Sequence, residues 1–246
     1  MRRTTIICLA AITIGFVGCA GNPDNSVTDP KRASEINLDL AVDYLRRGNL
    51  AQAKEKLDRA LEQNSRNAAA HSVAGMLYTR LRDTGKADSH YQRAVSLDPE
   101  NAEYKNNYAV FLCQQNRAER GEKLALQAAT DLLYKTREVA YYNAGTCARS
   151  RGDVASAEKH FRAALQIRPR FGEALHQLAE LEYDQKNYLS ARGFLERYLE
   201  VGRTTPETLW LGVRIERGLG NTAVAQHYAN RLKADFQIAL QEAPRR

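Results

Sequence analysis

The chain has 246 residues and a formal net charge of +7, and 43% of its residues are hydrophobic. This length suits one or two domains, and the proportions of hydrophobic and charged residues are typical of a soluble helical protein. Basic and acidic residues are interspersed, without the long basic run typical of nucleic-acid-binding proteins, so we expect no nucleic-acid partner.

The first 18 residues have the features of a signal peptide. Arg2 and Arg3 precede an apolar run over 6–17 that is too short to span a bilayer. The run leads into the letters FVGC, which end at Cys19 and resemble the lipobox of bacterial lipoproteins, although Phe16 replaces the usual leucine. This resemblance implies cleavage before Cys19 and attachment of diacylglycerol to its thiol. A plain secretory signal is the alternative.

Residues 19–33 are predicted to form a lipidated N terminus and a flexible tether, because they are mainly polar and contain little to bury. Ala20 rather than aspartate follows the cysteine. By resemblance to lipoprotein sorting in Gram-negative bacteria, this implies a location on the outer membrane, facing the periplasm. A tether without any specific role of its own is the simpler interpretation of this segment.

A pattern of small and aromatic residues then recurs every 34 residues or so. It is clearest in 68–101, where Gly75 and Tyr78 are followed by Ala87 and Tyr91 at helical spacing. This is the pattern of a tetratricopeptide repeat (TPR), a helix–turn–helix unit whose small residues let two helices approach closely. Copies are predicted at 34–67, 68–101, 102–135, 138–171, 172–204 and 205–238, with a tail over 239–246. We therefore predict an all-α TPR solenoid of about six repeats. An irregular helical bundle is the alternative.

Two of the four cysteines remain after the signal segment and Cys19 are set aside. Cys113 and Cys147 each lie on the predicted first helix of adjacent repeats, and the periplasm is oxidising. A disulfide and a pair of buried free thiols are both consistent with the sequence, and the compartment favours the disulfide.

No catalytic or metal-binding pattern is recognisable. The five histidines are scattered without metal-ligand spacing, and phosphate loops, nucleophile elbows and HExxH motifs are absent. We therefore expect a protein that is not an enzyme and that needs no cofactor, metal or small-molecule substrate. An enzyme that used the repeats as a substrate scaffold would need a catalytic constellation, which the sequence lacks.

In TPR proteins the first helix of each repeat lines a concave groove, and resemblance to that family assigns the groove positions here. They are apolar in the first two repeats and mainly asparagine or aromatic in the next two, with Arg149 nearby: Leu38, Val42, Leu45, Val73 and Met76, then Asn106, Asn107, Tyr142 and Asn143. An exposed apolar groove marks an interaction site, and asparagine can pair with a peptide backbone. Alternatively, the tether or a neighbouring copy covers the apolar positions, and the asparagines bond between repeats.

The organisation of the whole chain resembles the PilF/PilW family of type IV pilus biogenesis lipoproteins, which are TPR pilotins. The strings that carry this resemblance are YLRRGN at 44–49, NNY at 106–108 and LGVR at 211–214. It implies an outer-membrane lipoprotein that binds subunits of the pilus secretin (PilQ) and supports their localisation and multimerisation. A generic periplasm-facing adaptor for another envelope assembly machine would have nearly the same sequence and is the alternative.

Overall fold

In a computed structural model, which describes residues 29–202 and 204–236, the chain folds as consecutive antiparallel helix pairs. The predicted all-α architecture is confirmed. The twelve helices of the described residues form six pairs with these bounds: α1 Pro30–Arg46, α2 Leu50–Gln63, α3 Ala68–Arg80, α4 Thr84–Leu97, α5 Ala102–Gln114, α6 Ala118–Thr130, α7 Arg137–Ser150, α8 Val154–Ile167, α9 Gly172–Asp184, α10 Tyr188–Leu199, α11 Pro206–Gly218 and α12 Thr222–Phe236.

The start of the first repeat differs from the prediction. α1 begins at Pro30, inside the segment predicted as tether, because a carboxylate oxygen of Asp29 caps the helix by accepting from the Lys31 amide at 3.0 Å. Proline also suits the first helical position, since its fixed φ is already helical and it needs no amide partner there. The predicted signal peptide, Cys19 and the tail over 239–246 lie outside the described residues. No helix within 29–202 and 204–236 has the length and hydropathy needed to cross a bilayer.

The turn inside every helix pair contains one residue with positive φ, and these residues fix the register of the repeats. They are Gly48, Arg82, Asn116, Gly152, Lys186 and Gly220. Successive members are 34 residues apart in the chain, except that Asn116 and Gly152 are 36 apart. The wider step contains residues 136 and 137, which lie between the third and fourth predicted repeats. The same register places the start of the sixth repeat at Pro206, one residue later than predicted.

Glycines inside the first helices let the two helices of a pair pack closely against an aromatic ring. A Cβ atom added at Gly75 would lie 2.7 Å from the ring of Tyr91, and one at Gly145 would lie 2.6 Å from the ring of Phe161. Both rings are buried. Any larger residue at these glycines would therefore force the helices apart or distort the ring.

The interior contains two large apolar clusters, one in the first three repeats and one in the last three. Between them lie two small clusters whose buried members are alanines. Cys113 on α5 and Cys147 on α7 form a disulfide at this junction, with their Cα atoms 5.3 Å apart, a separation usual for a disulfide. The covalent link therefore joins the third and fourth repeats at the junction between the two large clusters.

Candidate protein-interaction surface

The first helices of the repeats form one side of the array, with direct contacts over the first four repeats and again over the last two. α1 contacts α3, α3 contacts α5 and α5 contacts α7, and α9 contacts α11 further along. Because each second helix packs behind its own first helix, the side chains that point away from the helix pairs share this surface. It is the surface on which the sequence places the candidate binding residues.

The apolar strip is defined by Leu38 and Val42 on α1 and by Val73 and Met76 on α3. Leu38 and Val42 are four residues apart and so lie on one face of α1. Leu38, Val42 and Val73 are half-buried, and Met76 is 37% exposed. Leu38 and Val73 pack against the first apolar cluster on one side. The strip therefore offers a partly exposed apolar surface that includes an adaptable methionine.

Leu45 does not belong to this surface, contrary to the prediction. Its side chain is only 4% exposed and packs in the first apolar cluster with Leu57 and Leu77. It follows Ala41 by four residues and therefore shares the buried face of α1. Its backbone carbonyl oxygen accepts a hydrogen bond of 2.7 Å from a guanidinium nitrogen of Arg80, which ties α3 to the end of α1.

The asparagines of the predicted groove bond between repeats. Asn106 is 5% exposed, and its side-chain oxygen accepts from Nδ2 of Asn143 at 2.9 Å. Nδ2 of Asn107 donates to Oγ of Ser72 at 3.4 Å. The alternative left open by the sequence is therefore the arrangement found. Asn106 is not available to a partner, whereas Asn107 and Asn143 are half-buried at the surface.

Tyr142 lies half-buried on α7, with its ring centroid 5.7 Å from that of Phe161 and 5.6 Å from that of Phe171. Burial raises the pKa of its hydroxyl above the ordinary value. The ring borders an open depression of about 450 Å³ that Tyr198 also lines. Nearby, the guanidinium of Arg149 pairs with Glu180 at 2.8 Å. This part of the surface is consequently polar, unlike the apolar strip.

Two exposed apolar residues on α1 were not predicted. Ile36 is 50% exposed and Leu40 is 42% exposed, and they lie four residues apart on one face. The equivalent positions of the second repeat, Ala70 and Ala74, are 0% and 2% exposed because the second helix of the preceding repeat covers them. No earlier repeat within the described residues covers α1. We call the surface that carries Ile36 and Leu40 the end face of α1. The position of α1 in the first predicted repeat is the sequence feature from which this exposure could have been predicted.

Buried and half-buried ionisable groups make contacts between repeats. Asp88 on α4 accepts two hydrogen bonds from Arg117, of 2.7 and 3.1 Å, and one of 2.7 Å from the Tyr108 hydroxyl. The bonds from Arg117 lower the pKa of Asp88 below its ordinary value. Glu122 on α6 similarly contacts His160 at 2.9 Å and Arg151 at 2.8 Å. Across the described ranges, no three or more histidine, cysteine or acidic residues are placed to hold a metal ion.

A histidine pair lies between the two helices of the second repeat. The Nδ1 atoms of His71 and His90 are 3.0 Å apart, and Nε2 of His71 is 3.1 Å from the carbonyl oxygen of Ser65. Because a carbonyl only accepts, Nε2 of His71 carries a proton, and its Nδ1 accepts from Nδ1 of His90 when both rings are neutral. Burial lowers the pKa of both rings. The pair therefore favours neutral histidines.

Models of the family described as "Tetratricopeptide repeat" match residues 38–87, 74–133 and 148–208. These matches cover more than half of the chain. The chain belongs to the tetratricopeptide repeat family. In this TPR chain the matched residues include both the apolar strip and the disulfide partner Cys113.

The resemblance to the PilF/PilW proteins is also confirmed. The TPR chain is 29% identical over 243 residues to the type IV pilus assembly protein PilF of Pseudomonas aeruginosa, which covers 97% of the chain and 96% of that protein. A solved structure of Pseudomonas aeruginosa PilF superposes with a TM-score of 0.78 and covers 87% of the chain and 97% of that structure. A structure of PilW, described as a widely conserved type IV pilus biogenesis factor, gives a TM-score of 0.78 at 29% identity, with 85% and 96% covered.

Proposed function

We propose that this TPR chain is a pilotin of type IV pilus biogenesis, which binds subunits of the outer-membrane secretin and supports their localisation and multimerisation. The observation that carries the proposal is the similarity to PilF over 97% of the chain and 96% of that relative. A shared repeat fold alone would not require agreement from end to end. The similar structure of PilW, a type IV pilus biogenesis factor, supports the same assignment.

The proposed attachment site is Cys19, whose acyl chains would hold the protein on the outer membrane, facing the periplasm. The lipobox resemblance of residues 16–19 and the alanine at position 20 support this location. Acyl chains anchor through roughly 0.8 kcal/mol for each buried CH₂ group, so several chains hold a protein stably. Changing Cys19→Ser should leave the repeats folded but remove the protein from the outer-membrane fraction, and its recovery there would contradict the proposed anchor.

The apolar strip is the proposed contact with the secretin. A partner segment that covers Leu38, Val42, Val73 and Met76 would remove apolar surface from water, which favours binding by roughly 25 cal/mol for each Å² buried. A secretin subunit held in this way would have its own apolar surface hidden. Its local concentration at the membrane would also rise, which favours multimerisation. The protein would act by binding alone, without covalent chemistry or a cofactor.

The change Met76→Glu tests the contact. Met76 is 37% exposed, so the substitution leaves the core intact. A partner can bury only the exposed 37% of the Met76 side chain, which is worth roughly 0.5–1 kcal/mol, but it would also have to bury the unpaired carboxylate of the variant, which costs several kcal/mol more. We therefore expect at least about tenfold weaker binding of purified secretin subunits, measured by titration calorimetry. The matched control is Leu189→Glu on α10, where a leucine outside the apolar strip is 65% exposed.

Three outcomes separate the alternatives. Weaker binding by Met76→Glu with normal binding by Leu189→Glu supports the apolar strip. Normal binding by Met76→Glu contradicts the strip. If only Leu40→Glu, on the end face of α1, weakens binding, the secretin contacts the end of the array rather than the apolar strip. Circular dichroism melting of each variant confirms that the repeats remain folded.

A further inference from the structure

The loop between α6 and α7 presents two adjacent leucines to solvent. Leu132 is 79% exposed and Leu133 is 90% exposed, the highest values for large hydrophobic residues in the described part of the chain. The loop is fixed at both ends. The Leu133 amide donates to the Asp131 carboxylate at 2.9 Å, and Nε of Arg137 donates to the carbonyl oxygen of Ala129 at 2.8 Å. The leucines are therefore held outward by hydrogen bonds in the loop itself.

This loop lies on the same edge of the array as the start of α1. The two helices of each repeat are antiparallel, so all first helices run in one direction and begin at one edge. α1, α3, α5 and α7 contact one another in that order. Packed helices lie roughly 10 Å apart, so three steps place the loop roughly 30 Å from the N terminus of α1. The chain enters this edge at Asp29, and ten residue steps from Cys19 span at most about 35 Å.

We infer that this edge faces the membrane and that Leu132 and Leu133 insert into the lipid surface as a second contact beside the acylated cysteine. This inference rests on the proposed anchoring through Cys19. The tether is short enough to keep the edge near the bilayer. Exposed Lys135, which follows soon after the leucines, is a basic residue of the kind favoured at membrane interfaces, whereas Tyr134 is half-buried and packs against the small alanine cluster.

Lipid fits this loop better than a protein partner does. A stable protein interface buries about 800 Å² on each partner, whereas the loop offers a tip of two side chains. The charge beside the leucines is mixed, since the depression that Leu133 lines also contains basic Lys135 and acidic Glu100, Glu103 and Asp131. The apolar side chains, rather than electrostatic attraction, therefore account for the contact with the membrane surface.

The test uses the full-length acylated protein in vesicles of phosphatidylethanolamine and phosphatidylglycerol. A polarity-sensitive fluorophore is attached to Leu133→Cys or, as a control, to Leu189→Cys. Leu189 is 65% exposed at the opposite edge, at the start of α10. We expect the probe at 133 to shift its emission to shorter wavelength and to lose most of its intensity when spin-labelled lipids are included. The probe at 189 should do neither.

The outcomes are distinguishable from failure of the anchor. If both probes stay solvent-exposed while the protein still sediments with the vesicles, the membrane-facing edge is wrong and the anchor stands. If the probe at 133 is shielded only after purified secretin is added, the leucines contact protein and the inference is overturned. If mass spectrometry of the mature protein finds Cys19 without acyl chains, the proposed anchor fails and this inference fails with it.

Discussion

Removal of the disulfide between Cys113 and Cys147 should destabilise the array by about 4 kcal/mol. The two cysteines are separated by 34 positions. For a loop of that length, the cross-link lowers the conformational entropy of the unfolded chain by about 12.6 cal/mol/K, which corresponds to about 3.8 kcal/mol at 25 °C. The perturbation is the double change Cys113→Ala and Cys147→Ala, which leaves no single thiol to react.

The position of the disulfide adds a second expectation. The apolar clusters of the first and last three repeats are joined there by two small alanine clusters, which Leu124, Leu126, Tyr134 and Tyr141 flank. In a repeat protein, stability depends on the interfaces between neighbouring repeats. The double variant should therefore unfold over a broader range of denaturant, because its two halves are less strongly coupled.

The assay is urea denaturation followed by far-ultraviolet circular dichroism. The oxidised wild-type protein provides the reference, and wild-type protein in dithiothreitol provides the matched control. The reduced wild type should approach the double variant, whereas the variant itself should not respond to dithiothreitol. A double variant as stable as the oxidised wild type, or a wild type that dithiothreitol does not affect, would refute the reasoning.

Three further changes probe the turns, the core and the histidine pair. Gly48→Ala should lower the free energy of unfolding by about 1–2 kcal/mol, because residues with a Cβ are strained at a φ of +76°. The added Cβ would meet nothing within 4 Å, so the change tests the backbone conformation alone. Lys186→Gly at the equivalent turn should be neutral or stabilising in the same urea titration. Leu45→Lys should cost at least about 2–5 kcal/mol, because the side chain is 4% exposed, and an unchanged melting temperature would contradict its burial. Since the pKa values of His71 and His90 are lowered from 6.5, the unfolded state binds more protons below that pH. The contribution of the histidine pair to the free energy of unfolding should therefore be fully present above pH 6.5 and be lost as the pH drops below it. Calorimetry should show a smaller decrease in melting temperature at low pH for His90→Gln than for the wild type.

The repeats were predictable because their signals are local and recur. Gly75 and Tyr91 fill one small space between two helices, and Gly145 and Phe161 do the same two repeats later. The extra residues after the third repeat were visible as a break in the period. The outward position of Leu133, a few residues earlier, depends on hydrogen bonds within the loop that sequence spacing does not encode.

The surface residues were harder to predict because exposure depends on the neighbours of each helix. Leu45 occupies a groove position in the family pattern, yet it shares the buried face of α1. Ile36 is exposed only because no earlier helix of the described chain covers it. Asn106 is a good donor and acceptor by type, but Asn143 of the next repeat occupies its side-chain oxygen.

The most direct test of the proposed pilotin function is an unboiled gel of the secretin from cells that lack this protein. The account predicts that the multimer band disappears while the monomer persists. It also predicts that the wild-type gene restores the band and that a gene encoding Met76→Glu does not, although one encoding Leu189→Glu does. An unchanged multimer band in the deletion strain would contradict the proposed role in secretin assembly.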